Sequence, residues 1–367
     1  MLHTLHIENF RNVETLDCRF GPGFNYIYGD NGAGKTAILE AVALLLRGKS
    51  FRTNKLQSVI RHGGAGTMIR ATVEQGSVTH RVGTERLRSG PVRFSVDGLQ
   101  DAKGSDIARL LPIEVLLPDV AELVYGAPAG RRELLDWGLF HVEQRYLSVA
   151  RQYRRTLRQR NAWLKAAGEQ ASLPRPEDDP WFPQYRQGCL DMTQMRSAYL
   201  EDYQPVFRET LAMLSPGLQV QITYDSGGLG TMQDVDKKIG ETFERDVKFG
   251  VTHRGPHRGD LVFELGGQIA AESASRGQAK VIASAALLAQ AVLQERQSGA
   301  KSLFLIDDFG AELDQEHWSR FQQALDTLGA QVIFTTTEHP RSRSSWLSAN
   351  CELFHVEQGR LLETPSD

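Results

Sequence analysis

FNYIYGDNGAGKTAILEAV, residues 24–42, carries the most informative motif of this 367-residue chain. Its central part, GDNGAGKT at residues 29–36, matches the phosphate-binding pattern G-x-x-x-x-G-K-[ST]. An apolar, β-prone run precedes the motif and apolar residues at helical spacing follow it, so it is predicted to join a strand to a helix. The alternative is a glycine-rich turn before an ordinary helix. Because glycine averages roughly 7% of composition, the fixed positions coincide by chance in only about one chain in a hundred, which favours a phosphate-binding loop.

The loop has the residue types that hold the triphosphate of ATP together with Mg²⁺. Glycines permit the positive φ angles that turn backbone N–H groups inwards, and the following helix N-terminus adds partial positive charge. Lys35 is predicted to neutralise the phosphates and to act in catalysis, and the Thr36 hydroxyl is predicted to hold Mg²⁺. The predicted nucleotide-binding residues of the loop are Gly29, Asp30, Asn31, Gly32, Ala33, Gly34, Lys35 and Thr36.

The composition is that of an ordinary globular chain, 41% apolar and 24% charged. No apolar run is long enough to span a membrane and the N-terminus lacks the apolar stretch of a signal peptide, so we expect a cytoplasmic protein without a membrane partner. Three widely spaced cysteines argue against a disulfide framework and a zinc site. With a net charge of −3, any nucleic-acid binding depends on a local basic patch.

A second motif, KSLFLIDDFGAELD at residues 301–314, supplies the acids that ATP hydrolysis needs. Its apolar run is typical of a buried parallel strand, and ligands bind at the carboxyl ends of such strands. Asp307 is predicted to bind Mg²⁺, and Asp308 to act as the general base or to orient the attacking water. The alternative is an Asp-rich helix cap after a core strand.

A third motif, Ser275-Arg276-Gly277-Gln278, stands at the start of a long Ala/Leu-rich helical pattern. It resembles the signature motif of ATP-binding cassette ATPases. The resemblance implies that Ser275 and Gly277 contact ATP held by the phosphate-binding loop, or Walker A loop, of a second copy, so that ATP joins two heads. Glu312-Leu313-Asp314 resembles the D-loop of that family, which implies that Asp314 also contributes to the shared nucleotide site.

The γ-phosphate sensor and the Q-loop are less well defined by the sequence. The predicted strand 331–335 leads into Thr335-Thr336-Thr337-Glu338-His339. A threonine at the strand end is the preferred sensor, and His339 is the alternative because it follows the strand at some distance and precedes a proline. Gln57 is a possible Q-loop residue that comes early in the chain.

The segment 37–274 between the first and third motifs is longer than the insert of a transporter ATPase and far shorter than that of an SMC protein. Residues 131–167 read as one continuous helix, PRPEDDPWFP at 174–183 as a surface turn, and 184–214 as a returning helix. These patterns predict a short helical arm.

Motifs along nearly the whole chain resemble the RecF family of bacterial recombination and replication-repair ATPases. They are Asn9-Phe10-Arg11-Asn12, the Walker A loop, Lys49–Arg52, Leu117–Asp119, Arg131-Arg132 with Leu135-Asp136, Gln159–Asn161, Gly255–Arg258 with Asp260, Ser275–Gln278, and Asp307-Asp308 with Glu312–Asp314. Ala274 departs from the leucine usual before the signature serine.

The resemblance implies an α/β fold, in which both ends of the chain build an ABC-type P-loop ATPase head around an inserted helical arm. The predicted domains are 1–115 and 251–367 for the two lobes of the head and 116–250 for the arm. It also implies an ATP-dependent homodimer that clamps single-stranded and duplex DNA at gaps, hydrolyses ATP weakly, and helps RecO and RecR to load RecA in the SOS response. In this type of head Arg11 reaches the nucleotide.

Two basic groups are candidate DNA contacts, and each has a plainer explanation. Four arginines share one face of the first arm helix, a stripe that could neutralise phosphates or simply be solvated and paired with acids. The stripe residues are Arg151, Arg154, Arg155 and Arg158, near Arg145 and Arg160. The second group comprises Arg61, Arg70, Arg81, Arg86, Arg88 and Arg93 in a β-rich region. His257 and Arg258 fit a structural turn and a ligand-facing loop equally well.

Two other classes of function remain open from the sequence. One is the cytosolic ATPase subunit of an ABC transporter, which needs a membrane-domain docking surface. The other is an ATP-binding scaffold without turnover, which Lys35-dependent phosphate release would exclude.

Overall fold

The computed structural model describes residues 1–169, 174–308, 315–340 and 351–362. The chain divides into two compact units. Unit 1 comprises Met1–Val120, Met213–Pro216 and Ser284–Asp367, and unit 2 comprises Ala121–Ala212 and Gly217–Ala283. The domain boundaries predicted at residues 115 and 250 stay a prediction.

The described strands are β1 (Leu2–Phe10), β2 (Val13–Arg19), β3 (Phe24–Tyr28), β4 (Gly66–Gln75), β5 (Val78–Leu87), β6 (Val92–Val96), β7 (Leu99–Ala102), β8 (Ile113–Leu116), β9 (Val220–Asp225), β10 (Asp260–Leu265), β11 (Gln268–Ile269), β12 (Leu303–Asp307), β13 (Gln331–Thr336), β14 (Cys351–Glu357) and β15 (Arg360–Leu362).

The described helices are α1 (Lys35–Arg47), α2 (Gly104–Leu110), α3 (Glu122–Tyr125), α4 (Pro128–Val142), α5 (Tyr146–Gly168), α6 (Phe182–Leu214), α7 (Met232–Phe249), α8 (Ala270–Ser273), α9 (Arg276–Ser298) and α10 (Gln315–Leu328). Short 3-10 helices cover Leu56–Val59, Pro176–Asp178 and Pro256–Arg258.

Unit 1 contains a sheet of strand order β15-β14-β3-β13-β12-β8. Strands β14, β3, β13, β12 and β8 are parallel, and only β15 pairs antiparallel. All residues of β3 are buried, as expected of a central parallel strand covered on both faces. Because parallel strands end at the same edge, the residues after β3, β8, β12 and β13 share one side of the sheet, which is where open α/β sheets bind ligands.

The second sheet of unit 1 is antiparallel, with strand order β2-β1-β4-β5-β6-β7. Buried and exposed residues alternate along much of β2 and β4, so one face packs against the core and the other faces solvent. Helix α1 is buried continuously from Ala37 to Leu46, which makes it a core helix rather than a surface helix.

Unit 2 combines helices with the three-stranded antiparallel sheet β11-β10-β9. Helices α5 and α7 pack through Leu164, Phe243 and Val247, with Trp163 against them. The predicted returning helix, 184–214, corresponds to α6 and continues through an internal proline.

The expectation of one helix over 131–167 is wrong, because α4 ends at Val142 and α5 begins at Tyr146. Glu143 has extended backbone angles, and its carboxylate accepts a hydrogen bond from the Arg145 N–H at 2.9 Å. This local side-chain bond competes with the helical hydrogen-bond ladder and ends the helix without a proline.

Candidate nucleotide-binding site

The loop between β3 and α1 has the backbone conformation that the motif predicts. Gly29, Gly32 and Gly34 have φ angles of 150°, 81° and 116°, a region that favours glycine. A Cβ on Gly29 would lie 2.2 Å from the Val356 carbonyl oxygen, so no larger residue fits there. Gly34 caps α1 without a side-chain hydrogen bond, which leaves the helix N-terminus open to an anion.

Lys35 folds back over the loop. Its Nζ donates hydrogen bonds to the carbonyl oxygens of Gly29 at 2.7 Å and Asp30 at 2.9 Å. Burial lowers the pKa of Lys35, and the nearby carboxylates of Asp308 and Asp307 oppose that shift. The hydrogen-bond acceptors of this ammonium group are neutral, so its charge stays available to a phosphate.

Asp307 lies at the carboxyl end of β12, where the structure brings it to the loop. Its carboxylate is 2.9 and 3.1 Å from the Thr36 hydroxyl and accepts a 2.6 Å hydrogen bond from the Thr335 hydroxyl on β13. Carboxylate and hydroxyl oxygens are the hard ligands that Mg²⁺ prefers, usually with phosphate oxygens and waters completing its shell. The residues present therefore fit a magnesium-bound nucleotide.

Asp308 has an unusual backbone conformation, with φ at 45°. Its N–H donates to the Thr335 carbonyl oxygen and lies 3.1 Å from the Thr335 hydroxyl. A non-glycine residue held in the left-handed region stores strain, and such residues concentrate at functional sites. Residues 309–314 lie outside the described part of the chain, so the predicted D-loop residue Asp314 has no structural description.

Arg11 is anchored to α1. Its guanidinium donates to both oxygens of Glu40, at 2.9 and 2.6 Å, and to the Ser58 carbonyl oxygen at 2.9 Å. Glu40 is fully buried and also accepts a hydrogen bond from the Ser50 hydroxyl. The predicted contact of Arg11 with nucleotide stays a prediction, and the sequence motif gave no sign of this carboxylate partner.

The sensor candidates lie at the end of β13 and directly after it. Thr335 is buried and bonded to Asp307, whereas Thr337 and His339 are exposed. The His339 ring lies 4.6 Å from the ring of Tyr28, the residue just before the phosphate-binding loop. The choice between Thr337 and His339 as the sensor stays open.

The structure adds a residue at the same edge that the sequence did not assign. Strand β8 pairs with β12, so Leu117–Asp119 follow at the edge that carries Asp307, and Asp119 is exposed. The signal was an apolar strand ending in Pro-Asp, similar to the strand end at Asp307. Gln57, the Q-loop candidate, instead donates to the Arg88 carbonyl oxygen.

The signature residues lie in unit 2, at the N-terminus of α9. The Ser275 N–H donates to the Gln278 side chain at 2.8 Å, and the Gln278 N–H donates to the Ser275 hydroxyl at 3.2 Å. This reciprocal pair is a capping box that fixes the first turn of the helix. Arg276 and Gly277 are exposed, and a Cβ on Gly277 would contact nothing within 4 Å. Nucleotide contact by these four residues stays a prediction.

The arginines of α5 separate into structural and exposed residues. Arg160 is fully buried and its guanidinium binds Asp179 at 2.7 Å and Asp246 at 3.0 Å. Arg154 is 3.5 Å from Asp136. The exposed members of the predicted stripe are Arg151, Arg154, Arg155 and Arg158.

His257 is half-buried and hydrogen-bonded within unit 2, which supports the structural interpretation of its turn. Its ring bonds with the Tyr153 hydroxyl at 2.6 Å and lies 3.1 Å from the Thr252 carbonyl oxygen. Burial lowers the pKa of His257 to about 4, so the imidazole is neutral near pH 7.

The second basic group lies on and beside the antiparallel sheet of unit 1. Some of its members have acidic or carbonyl partners: Arg61 is 3.4 Å from Glu14, Arg93 is 3.8 Å from Glu85, and Arg88 donates to the Gly64 carbonyl oxygen. Arg70 and Arg81 are exposed.

Among the described helices, none is both long and apolar enough to cross a membrane.

A parallel sheet whose carboxyl edge carries a phosphate-binding loop, a hydroxyl and paired aspartates defines a P-loop nucleotide-binding protein. The profile of the RecF/RecN/SMC N terminal domain family matches residues 1–361. The chain belongs to this family, and the predicted family and fold class are confirmed.

Relatives and solved structures agree with this assignment. The chain is 33% identical to the DNA replication and repair protein RecF of Shewanella pealeana over 98% of each chain, and 34% identical to that of Pseudomonas fluorescens over 99% of this chain and 98% of the relative. A structure of the recombination mediator protein RecF with ATP superposes with a TM-score of 0.86 at 24% identity, covering 98% of this chain and 96% of that one. An Smc head bound to a domain of ScpA gives 0.58 at 16% identity, covering 98% and 95%. The transporter alternative is not favoured.

Proposed function

We propose that this chain is an ATP-dependent DNA-binding protein of DNA replication and repair. The main supporting observation is that this chain has two features together. One is a phosphate-binding loop whose Thr36 bonds to Asp307, and the other is an exposed helix N-terminus with a capped S-R-G-Q motif. These are complementary halves of one nucleotide site in the ATPases that they resemble. The curated relatives named as DNA replication and repair proteins support the biological setting.

In the proposed nucleotide site, ATP supplies a scissile phosphoanhydride and Mg²⁺ neutralises its charge. The loop N–H groups and Lys35 bind the phosphates, and Thr36 with Asp307 holds the metal ion. The Thr335 hydroxyl fixes the orientation of the Asp307 carboxylate, and its carbonyl oxygen fixes the Asp308 backbone. Asp308 is the proposed general base or water-positioning group, and turnover is slow, as suits a switch.

We further propose that two copies dimerise when ATP binds. Ser275 and Gly277 of one copy contact the nucleotide on the loop of the other, with Arg276, Gln278 and Asp314 beside them. The exposed helix N-terminus at Ser275 supports this role, since its partial positive charge suits a phosphate. Hydrolysis then separates the copies.

The proposed ligand of the ATP-bound dimer is DNA, single-stranded and duplex, at gap junctions. Exposed arginines on α5 and on the antiparallel sheet are the proposed phosphate contacts, which neutralise charge without reading bases. By family resemblance the partners are RecO, RecR and RecA in the SOS response, and the proposed location is the cytoplasm. The head and arm domains are proposed at 1–115 with 251–367 and at 116–250.

Binding measurements with the purified chain test this proposal. Titration of Mg-ATP should give a dissociation constant that Lys35→Met weakens strongly, and a labelled gapped duplex should bind tightly only with Mg-ATP. An exposed control, Lys55→Met, should match the wild type in both assays. The proposal would be contradicted if DNA bound equally tightly with and without ATP, or if Lys35→Met bound ATP as tightly as the wild type.

A further inference from the structure

Two turns, distant from each other in the sequence, contact the phosphate-binding loop from outside. One is the turn between β1 and β2, where the Asn12 amide donates to the Gly32 carbonyl oxygen at 3.0 Å. The other is the turn between β14 and β15, where the Gly359 N–H donates to the Ala33 carbonyl oxygen at 2.6 Å.

The two turns also touch each other and fill the space beside Gly34. A Cβ on Gly34 would lie 3.2 Å from the Gly359 Cα and 3.3 Å from the Asn12 amide nitrogen. A Cβ on Gly359 would lie only 2.7 Å from the Asn12 carbonyl oxygen, and Gly359 has φ at 77°. Glycine at 359 is therefore required both by space and by conformation.

These hydrogen bonds fix the direction of loop peptide planes. In a planar trans peptide the C=O and the following N–H point in opposite directions. The bond from Gly359 to the Ala33 carbonyl oxygen therefore turns the Gly34 N–H away from Gly359. The bond from Asn12 likewise fixes the preceding plane, between Gly32 and Ala33, together with the bond from the Ala33 N–H to the Asp30 carbonyl oxygen at 3.1 Å.

Without these donors, the Ala33 carbonyl oxygen would be free to rotate into the concave side of the loop, and the Gly32 carbonyl oxygen would be held only through the Ala33 N–H bond to Asp30. A carbonyl dipole pointing inwards would repel phosphate, and rotation of the Ala33–Gly34 peptide would also withdraw the Gly34 N–H donor. Holding the peptides in place before the ligand arrives lowers the ordering cost of binding.

We propose that Asn12 and Gly359 are positioning residues that preset the amides of the phosphate-binding loop for the polyphosphate of ATP. This inference rests on the proposed binding of ATP. It makes the β14–β15 hairpin a functional part of the nucleotide site, rather than an edge of the sheet that only stabilises unit 1.

Three variants test the proposal. Asn12→Ala removes one donor, Asn12→Asp keeps the shape but presents a carboxylate that does not donate, and Gly359→Ala introduces the clash with the Asn12 backbone. Gly63→Ala is the matched control, because Gly63 also has a left-handed φ, 80°, yet a Cβ there meets nothing within 4 Å. The measurements are affinities for Mg-ATP and inorganic tripolyphosphate, amide hydrogen exchange of residues 29–36 without nucleotide, and the melting temperature.

Asn12→Ala should weaken both ligands by about fivefold to tenfold, as expected for one lost hydrogen bond, and should speed exchange in the loop. Asn12→Asp should weaken them more because of its negative charge, and Gly359→Ala should also weaken both. Gly63→Ala should leave ligand affinity and loop exchange unchanged even if its melting temperature falls.

Unchanged affinity and loop exchange in Asn12→Ala and Gly359→Ala would overturn the inference, while normal binding by the wild type would leave the proposed function intact. A loss of melting temperature with no faster loop exchange and no weaker tripolyphosphate binding would also overturn it, because that result describes a purely structural hairpin. A wild-type chain that binds neither ligand would overturn both proposals.

Discussion

The candidate nucleotide site of unit 1 and the buried charge cluster of unit 2 each contain one basic residue and two aspartates, but these charges have different partners. In unit 2, the Arg160 guanidinium is paired with two carboxylates, and all three side chains are fully buried. In unit 1, among the described residues, the Lys35 ammonium group bonds only to carbonyl oxygens, and the Asp307 carboxylate only to hydroxyl groups. Buried charges that are paired within the protein depend on each other, whereas charges held by neutral groups remain able to bind a charged ligand.

The largest expected effect comes from breaking the buried cluster. Arg160→Met removes the guanidinium that pairs with the buried carboxylates of Asp179 and Asp246, which should cost about 3–5 kcal/mol of folding free energy. Chemical denaturation measures it, with Arg158→Met, an exposed arginine of the same helix, as control. A loss no greater than the control's would show that the cluster is not structural.

The complementary change in unit 1 should lower ATP turnover while leaving the stability of the fold nearly unchanged. Lys35→Met removes the ammonium group from the phosphate site and should reduce ATP turnover by about a hundredfold or more. The melting temperature without nucleotide should change little, since burial already disfavours the charged lysine. Phosphate release and thermal melting together test the contrast. A large fall in melting temperature alongside the loss of turnover would contradict it.

A smaller effect is expected from removing the neutral hydroxyl group of Thr335 that hydrogen-bonds to the Asp307 carboxylate. Thr335→Val keeps the shape of the side chain but removes the hydroxyl that donates to Asp307 and lies beside the Asp308 N–H. One such hydrogen bond corresponds to about 1 kcal/mol, so turnover should fall roughly fivefold to tenfold. Thr336→Val is the control, because the Thr336 hydroxyl accepts from the Glu338 N–H and bonds to no carboxylate in the part of the chain that the structure describes. If both variants have the same turnover, Thr335 does not orient the aspartates.

Glu114 on β8 is a third case, a buried carboxylate that is neutralised by a bound proton rather than held by an arginine or by hydroxyl groups. It is fully buried, neither oxygen has a hydrogen-bond partner among the described residues, and burial raises its pKa to about 8 despite the opposing charge of Arg47. Because the folded pKa lies above the ordinary value, the contribution of Glu114 to stability is complete at low pH. It is lost as the pH rises from the ordinary carboxyl pKa through about 8.

Glu114→Gln, which cannot ionise, should therefore melt about 2–4 °C above the wild type at pH 8.5 and show no such gain at pH 4.5. Glu352→Gln, a carboxylate outside the buried interior, is the control. A gain of equal size at both pH values would show that ionisation of Glu114 is not the cause.

The parts of the molecule that follow from local sequence were predictable. Phosphate-loop glycines, the strand ending at Asp307 and the helix after Ser275 each depend on residues close together in the chain. The partners of Asn12, Arg11 and Arg160 depend on contacts far apart in sequence, so periodicity and motif spacing did not reveal them. The break between α4 and α5 was missed because one glutamate side chain, without any proline or glycine, ends the helix.

Sedimentation mass tests the proposed composite nucleotide site most directly. The purified chain should be a monomer without nucleotide and double its mass with Mg-ATP, and it should form a further complex when a short gapped duplex is added. Lys35→Met and Ser275→Arg should both stay monomeric with Mg-ATP, the second because it blocks the exposed helix N-terminus while leaving the loop intact. A monomer under every condition, or a Ser275→Arg variant that dimerises with ATP like the wild type, would contradict the account.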